Sequence, residues 1–178
     1  MTLPDVTTPA ELASRMGKTM INLSQEELKA TLRYEPETGL FFWVKNARYG
    51  RLAGDVAGYI TVYGYVSIKI KRRAYPAHWL AFLYMTGIVP SMVDHINMNR
   101  SDNRFGNLRP ATPALNNANR RVMPTSFTGL KGVAKSMKKR YRARLCNKHL
   151  GTFDTPEDAH EAYVKAAIER FGEYARRG

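Results

Sequence analysis

The chain has one cysteine, Cys146. An intramolecular disulfide is therefore excluded, and so is a zinc site built from several thiolates. No apolar run approaches the roughly 18 residues that a membrane-spanning helix requires. Met1 to Met20 lacks the charged start and apolar core of a secretory signal. The expectation is a soluble, cytoplasmic protein with no membrane partner. Internal repeats and low-complexity tracts are absent as well. Carboxylates are the scarce charge: 15 Asp plus Glu stand against 28 Lys plus Arg, for a net charge of +13 over 178 residues. Such an excess calls for an anionic partner. Basic residues interleave with aromatics on strand-like segments, which favours nucleic acid over an acidic protein or a membrane surface. The length allows one or two small domains with modest cores.

Thr8-Pro9-Ala10-Glu11 has the form of a helix start. Ser24-Gln25-Glu26-Glu27 repeats the capping pattern, and Leu28 and Leu32 share a face of a helix expected to run to about Tyr34. Glu35 to Gly39 is a turn and Leu40 to Val44 a strand. Residues 47–58 are Gly-rich and basic, hence loop. Tyr59 to Ile70 is dense in β-branched and aromatic residues, with Gly64 in the middle. There Val66, Ile68 and Ile70 alternate with Ser67, Lys69 and Lys71, so one face is buried and the other basic. Lys71-Arg72-Arg73 forms the next turn. Ala77 to Met85 is apolar all round, which predicts a buried helix ended by Gly87. After a polar stretch at 121–127, three strands are predicted at Val133–Met137, Tyr141–Leu145 and Lys148–Phe153. A helix then opens at Thr155-Pro156-Glu157-Asp158, with its cap, first-turn proline and acids in place. The class is α+β: an N-terminal segment 1–23, a domain 24–120, a linker 121–127 and a domain 128–178.

The densest chemistry lies between Val93 and Asn119. Asp94-His95 ends a short apolar strand, a polar loop follows, and a second short strand lies around Leu108. Thr112 and Pro113 then start a helix that carries Asn116. This strand–loop–strand–helix unit can place Asp94 and Asn116 on either side of one cation, with His95 beside it. Phosphodiester cleavage needs an activated water and a counter-charge for the phosphate and the leaving oxygen. An imidazole with an unperturbed pKa of about 6.5 suits a general base. The oxygens of Asp94 and Asn116 suit Mg²⁺ or Mn²⁺, one ion per site, better than zinc. Asn107 can cross the hairpin and fix the imidazole through backbone hydrogen bonds. The bland alternative is a polar hairpin in which Asp94 and His95 are merely paired. His78, on an apolar helix, reads as a structural histidine, and Asp102-Asn103 as an Asx turn.

The run Asp94-His95, Ser101-Asp102-Asn103-Arg104, Asn107-Leu108-Arg109, Ala111-Thr112 and the Asn-rich helix after it resembles the HNH endonucleases, in their phage homing branch. Tyr75-Pro76-Ala77-His78-Trp79-Leu80-Ala81 resembles the helix that precedes the motif in that family, with Trp79 where Arg is usual. The resemblance implies a ββα-metal nuclease with His95 as base, Asn107 orienting it, and Asp94 with Asn116 binding the metal. It implies hydrolysis of double-stranded DNA to a 5′-phosphate and a 3′-hydroxyl. One active site makes nicking the simplest outcome for a monomer, while a double-strand break needs a dimer or two nicks.

Gly129-Leu130-Lys131-Gly132-Val133, Tyr141-Arg142-Ala143-Arg144-Leu145 and His149-Leu150-Gly151-Thr152-Phe153-Asp154-Thr155-Pro156-Glu157-Asp158-Ala159 resemble the APETALA-two, or ethylene-response-factor, DNA-binding domain, with Tyr141 where tryptophan is common. That implies a three-stranded sheet in the major groove. Independently, Arg140, Arg142 and Arg144 alternate with Tyr141, Ala143 and Leu145 and so share one sheet face. With Lys131 and Lys148 nearby, they suit phosphate and guanine contacts. The rival readings are a non-catalytic DNA-binding regulator on the same scaffold and a nuclease directed at RNA or at nucleic-acid structure.

Overall fold

The computed structural model describes residues 21–46, 52–122, 126–137 and 139–176. The helix start expected at Thr8 lies outside them. The chain divides into two compact units, Met1–Thr112 and Pro113–Gly178.

In the first unit, α1 (Gln25–Thr31) opens on a complete capping box. Ser24 Oγ accepts from the Glu27 amide at 3.1 Å, and the Glu27 carboxylate accepts from the Ser24 amide at 3.0 Å. The helix stops at Thr31, three residues short of the predicted end, because Leu32 begins strand β1 (Leu32–Glu35). Leu32 and Tyr34 are buried while Arg33 is exposed, a period of two that satisfies the pairing with β2 (Leu40–Trp43). The single strand expected from Tyr59 is broken. β3 (Tyr59–Ile60) and β4 (Val66–Ile70) are joined by a turn in which Gly64 has φ 80°. A second tight turn follows, with Lys71 and Arg72 at φ 45° and 68°, and leads to β5 (Arg73–Pro76). Ser67, expected to face solvent, is buried. Helix α2 (Ala77–Thr86) buries His78, Leu80, Ala81 and Phe82 and ends on Gly87, whose φ of 73° places it in the left-handed region. β6 (Val93–His95) and β7 (Leu108–Pro110) form the last hairpin, in the register Val93↔Pro110, Asp94↔Arg109, His95↔Leu108. The core of this unit gathers Leu28, Leu32, Phe41, Ile68, Leu80 and Phe82 between α1, α2 and the hairpins.

The second unit begins with α3 (Pro113–Asn119). The sheet β8 (Val133–Lys135), β9 (Tyr141–Leu145) and β10 (Lys148–Phe153) is antiparallel with β9 central. Helix α4 (Pro156–Phe171) covers one face and is capped by Thr155, whose hydroxyl accepts from the Asp158 amide. Ala143 and Leu145 pack toward Ala159, Tyr163 and Ala167. The packing is close: a Cβ on Gly132 would lie 2.0 Å from the Tyr163 ring. The division of the chain falls before α3 and ahead of the polar stretch 121–127. The reason lies at the end of that helix, where the Ala118 carbonyl accepts from the Arg176 amide at 3.3 Å and from the Lys131 ammonium.

Candidate active site

The antiparallel register sets Asp94 directly across from Arg109. Both are buried, and Arg109 Nε and a terminal guanidinium nitrogen donate to the same Asp94 oxygen, Oδ2, at 3.0 and 2.9 Å. In a dry site each charge depends on the other. Sequence reading alone placed Asp94 toward a metal and gave Arg109 only as part of the motif, with no partner.

His95, the next residue, is only 5% exposed. Its Nε2 lies 3.3 Å from Asn103 Oδ1. The Asn103 amide nitrogen donates to the Ser101 carbonyl, so Oδ1 is the accepting end and the imidazole donates through Nε2. The basic lone pair of the neutral ring is then on Nδ1. Burial is the main influence on this histidine and lowers its pKa below the usual 6.5, while Asn103, Asp94 and Asp102 oppose the shift. The ring is therefore neutral, as a base must be, at neutral pH.

Asn103 thus departs from the turn role expected for it. It is 2% exposed, and its own carbonyl accepts from the Tyr34 hydroxyl at 2.6 Å. Its neighbour Asp102 does behave as a turn residue. It takes the Arg104 side chain and amide and the Asn97 amide group, and Arg104 first of all holds its pKa down to about 2. Asn107 crosses the hairpin. Its Oδ1 accepts from the Asn97 amide at 3.0 Å, and its Nδ2 donates to Asn97 Oδ1 and to the Asp102 carbonyl. These bonds brace the loop on both sides of Asn103, so Asn107 reaches His95 through the backbone.

His78 comes up from α2 beneath this loop. Its ring meets that of His95 edge to face, centroids 5.1 Å apart, and the Tyr65 ring lies 5.4 and 6.0 Å from the two histidines. Burial pushes the pKa of His78 down to about 3, and its buried Nδ1 has no hydrogen-bond partner among the described residues. The ring is a neutral wall against which His95 rests. Arg100 closes the far side, with its guanidinium 4.9 Å above the Tyr65 ring.

The predicted pair of metal ligands is divided between the units. Asp94 is on β6 of the first, and Asn116 is half-buried on α3 of the second. Both offer hard oxygen donors. The sole thiol, Cys146, is exposed in the turn between β9 and β10, and no group of three His, Cys, Asp or Glu side chains forms a metal cage among the described residues. Oxygen donors of this kind suit an oxygen-loving divalent cation better than zinc.

In the second unit, Arg142 and Arg144 are exposed on β9 and Lys148 is exposed at the start of β10. Arg140 is partly committed, to Asp154 at 2.8 Å and to the Thr152 carbonyl. Lys131 differs from expectation. Its ammonium is turned onto the carbonyls of Ala118 and Arg120 at the end of α3, and burial lowers its pKa to about 8.

Against known proteins, the HNH endonuclease family model matches residues 75–118. The Uncharacterized HNH endonuclease L560 of Acanthamoeba polyphaga mimivirus is 31% identical over 187 aligned residues, which cover 90% of this chain and 96% of that protein. The chain belongs to the HNH endonuclease family. It is an enzyme of that class, a hydrolase that cleaves within DNA. No solved structure matches it. The family match takes in His78, Asp94, His95, Asn103, Asn107, Arg109 and Asn116. It omits Tyr34 and Tyr65, which lie upstream and hold the endonuclease loop from outside. The described helices include none long and apolar enough to cross a membrane.

Proposed function

We propose that the chain is a metal-dependent DNA endonuclease of the homing type, whose second unit recognises duplex DNA. The observation that carries the reading is His95: a buried imidazole, held by Asn103 and walled by His78, with its pKa lowered so that it is neutral at physiological pH. In this reading His95 takes the proton of the attacking water at Nδ1. A new bond forms between phosphorus and the water oxygen, the bond to the 3′ oxygen breaks, and that oxygen takes a proton from solvent, leaving a 5′-phosphate and a 3′-hydroxyl. Asn107 is a positioning residue that fixes the loop. Asp94 and Asn116 would hold one Mg²⁺ or Mn²⁺ in a ββα-metal unit made of β6, β7 and α3. When bound, such an ion supplies positive charge to the phosphate and the leaving oxygen. The sheet of the second unit would lie in the major groove in the manner of an APETALA-two domain, with Arg142, Arg144 and Lys148 reaching phosphates or guanine edges.

Conversion of supercoiled plasmid with Mg²⁺ or Mn²⁺, for wild type and His95→Ala in parallel, tests the chemistry. Open circles or linear product from wild type, and none from a variant that still binds DNA, is the expected result. The alternative of a non-catalytic regulator draws support from the hold of Arg109 on Asp94. It is preferred if wild type binds DNA but leaves every target intact with either metal.

A further inference from the structure

The loop joining β3 to β4 carries side chains that a free surface has no use for. Val62 is 95% exposed and Tyr63 73%, and Ile60, at the end of β3 beside them, 66%. Exposed apolar residues scattered singly need no explanation, but a run of them on one projecting turn does. The turn is firmly built: the Thr61 amide donates to the Tyr65 carbonyl, the Gly64 amide to the Thr61 carbonyl, both at 2.8 Å, and the Tyr65 amide to Thr61 Oγ1. It is also fastened to the catalytic loop. Arg100 donates to the Tyr63 carbonyl at 2.9 Å and lies over the Tyr65 ring, and that ring touches His95. The apolar tip is thus held in register with the proposed base. The charge at its foot is positive, that of Arg100, while Lys69, Lys71, Arg72 and Arg73 lie toward the opposite end of β4, where Lys71 pairs with Glu27 at 2.5 Å.

We infer that Val62 and Tyr63 form a wedge that packs against base pairs of duplex DNA beside the cut and deforms the helix there. This inference rests on the nuclease reading above. An apolar side chain held rigidly beside a cation is a device by which proteins unstack a base step while phosphate contacts keep the duplex in place. The Arg100 cation at its foot favours an anionic partner, and continuity with the nuclease site favours the substrate itself as the occupant. The reach is bounded. Tyr63 is two residues from Tyr65, roughly 7 Å of extended chain, which is about two base-pair rises. The deformation should therefore centre within about four base steps of the nick, a side-chain length being added.

The test first maps the plasmid nick sites made by wild type. A duplex spanning one site, with 2-aminopurine placed in turn at each of the neighbouring steps, is then bound by His95→Ala protein, and by His95→Ala carrying Val62→Ser and Tyr63→Ser. The wedge predicts a rise in fluorescence at one step near the nick, lost with the serine variant. With His95 intact, Val62→Ser plus Tyr63→Ser should nick plasmid about 10- to 100-fold more slowly, with an unchanged melting curve. Its rate should recover on a duplex already mismatched at that step. Equal nicking by wild type and the serine variant, or no fluorescence rise at any step, overturns the wedge while leaving the nuclease reading standing. So does a tip that instead binds lipid vesicles or pairs two copies of the chain with no effect on nicking. A wild type that leaves plasmid intact overturns both.

Discussion

Arg109 in the first unit and Arg144 in the second are both strand residues, and the fold treats them oppositely. Arg109 is buried across from Asp94 and holds it with two hydrogen bonds, whereas Arg144 stands exposed on β9 with Ala143 and Leu145 turned the other way. In the first unit nearly every polar side chain near His95 is anchored by a neighbour, so a substitution there changes shape as well as charge. In the second the basic face is open to solvent, so a substitution should change affinity and little else. Position in the hydrogen-bond network, more than residue type, divides the buried cluster around His95 from the basic face of β9.

That division can be tested by five single substitutions. His95→Ala should cost the most, about 10²- to 10⁴-fold in nicking rate, the usual worth of a general base. In wild type the acid limb of the pH–rate profile should lie below the ordinary histidine value of 6.5, because burial disfavours the charged ring and keeps the base active at lower pH. An acid limb above 6.5 would contradict the assignment. Next, Arg109→Met should lower stability by about 3–5 kcal/mol, because it removes the guanidinium that holds a buried Asp94 carboxylate. Urea unfolding reads it, and adding Asp94→Asn should restore most of the loss. If the single variant is as stable as wild type, the pair is not the structural clamp described. Third, Arg142→Ala and Arg144→Ala should each weaken duplex binding by ~1–3 kcal/mol, with a shallower salt dependence and an unaltered unfolding midpoint. A large fall in stability would place these arginines with the first kind. Smallest of all, Lys131→Met should change affinity less than about twofold at constant salt, since its ammonium is engaged at the end of α3 and offers no phosphate contact comparable to that of Arg144.

What could be read from the sequence was what local rules govern. The cap at Thr155, the alternation along β9 and the glycine that ends α2 are each decided within a few residues, and each stands as expected. The end of α1 was not so decided. Leu28 and Leu32 satisfy helical spacing, while Leu32 and Tyr34 equally satisfy a strand, and only the pairing with β2 chooses. At Asn103 the local signal of an Asx turn masked a distant one, because Tyr34, which binds its carbonyl, is 69 positions away. The partner of Arg109 was missed for a related reason: nothing local says that the hairpin register will bring it opposite Asp94. Lys131 was grouped with the surface cations because α3 was assigned to the other domain. No composition or period reveals to which body a seven-residue helix will adhere.

The turn between β1 and β2 bears on how such genes can be recombined. Gly39, at φ 74°, lies so close under the loop that a Cβ there would come within 2.4 Å of the Asn103 and Arg104 backbones, and Pro36 accepts the Phe105 amide at 3.0 Å. The portion that carries the family signature, residues 75–118, is thus not a transferable cassette. A chimaera that grafted it onto a foreign amino-terminal hairpin would inherit every signature residue and lose the floor beneath Asn103. The cutting activity should pass between lineages only when the crossover lies upstream of α1.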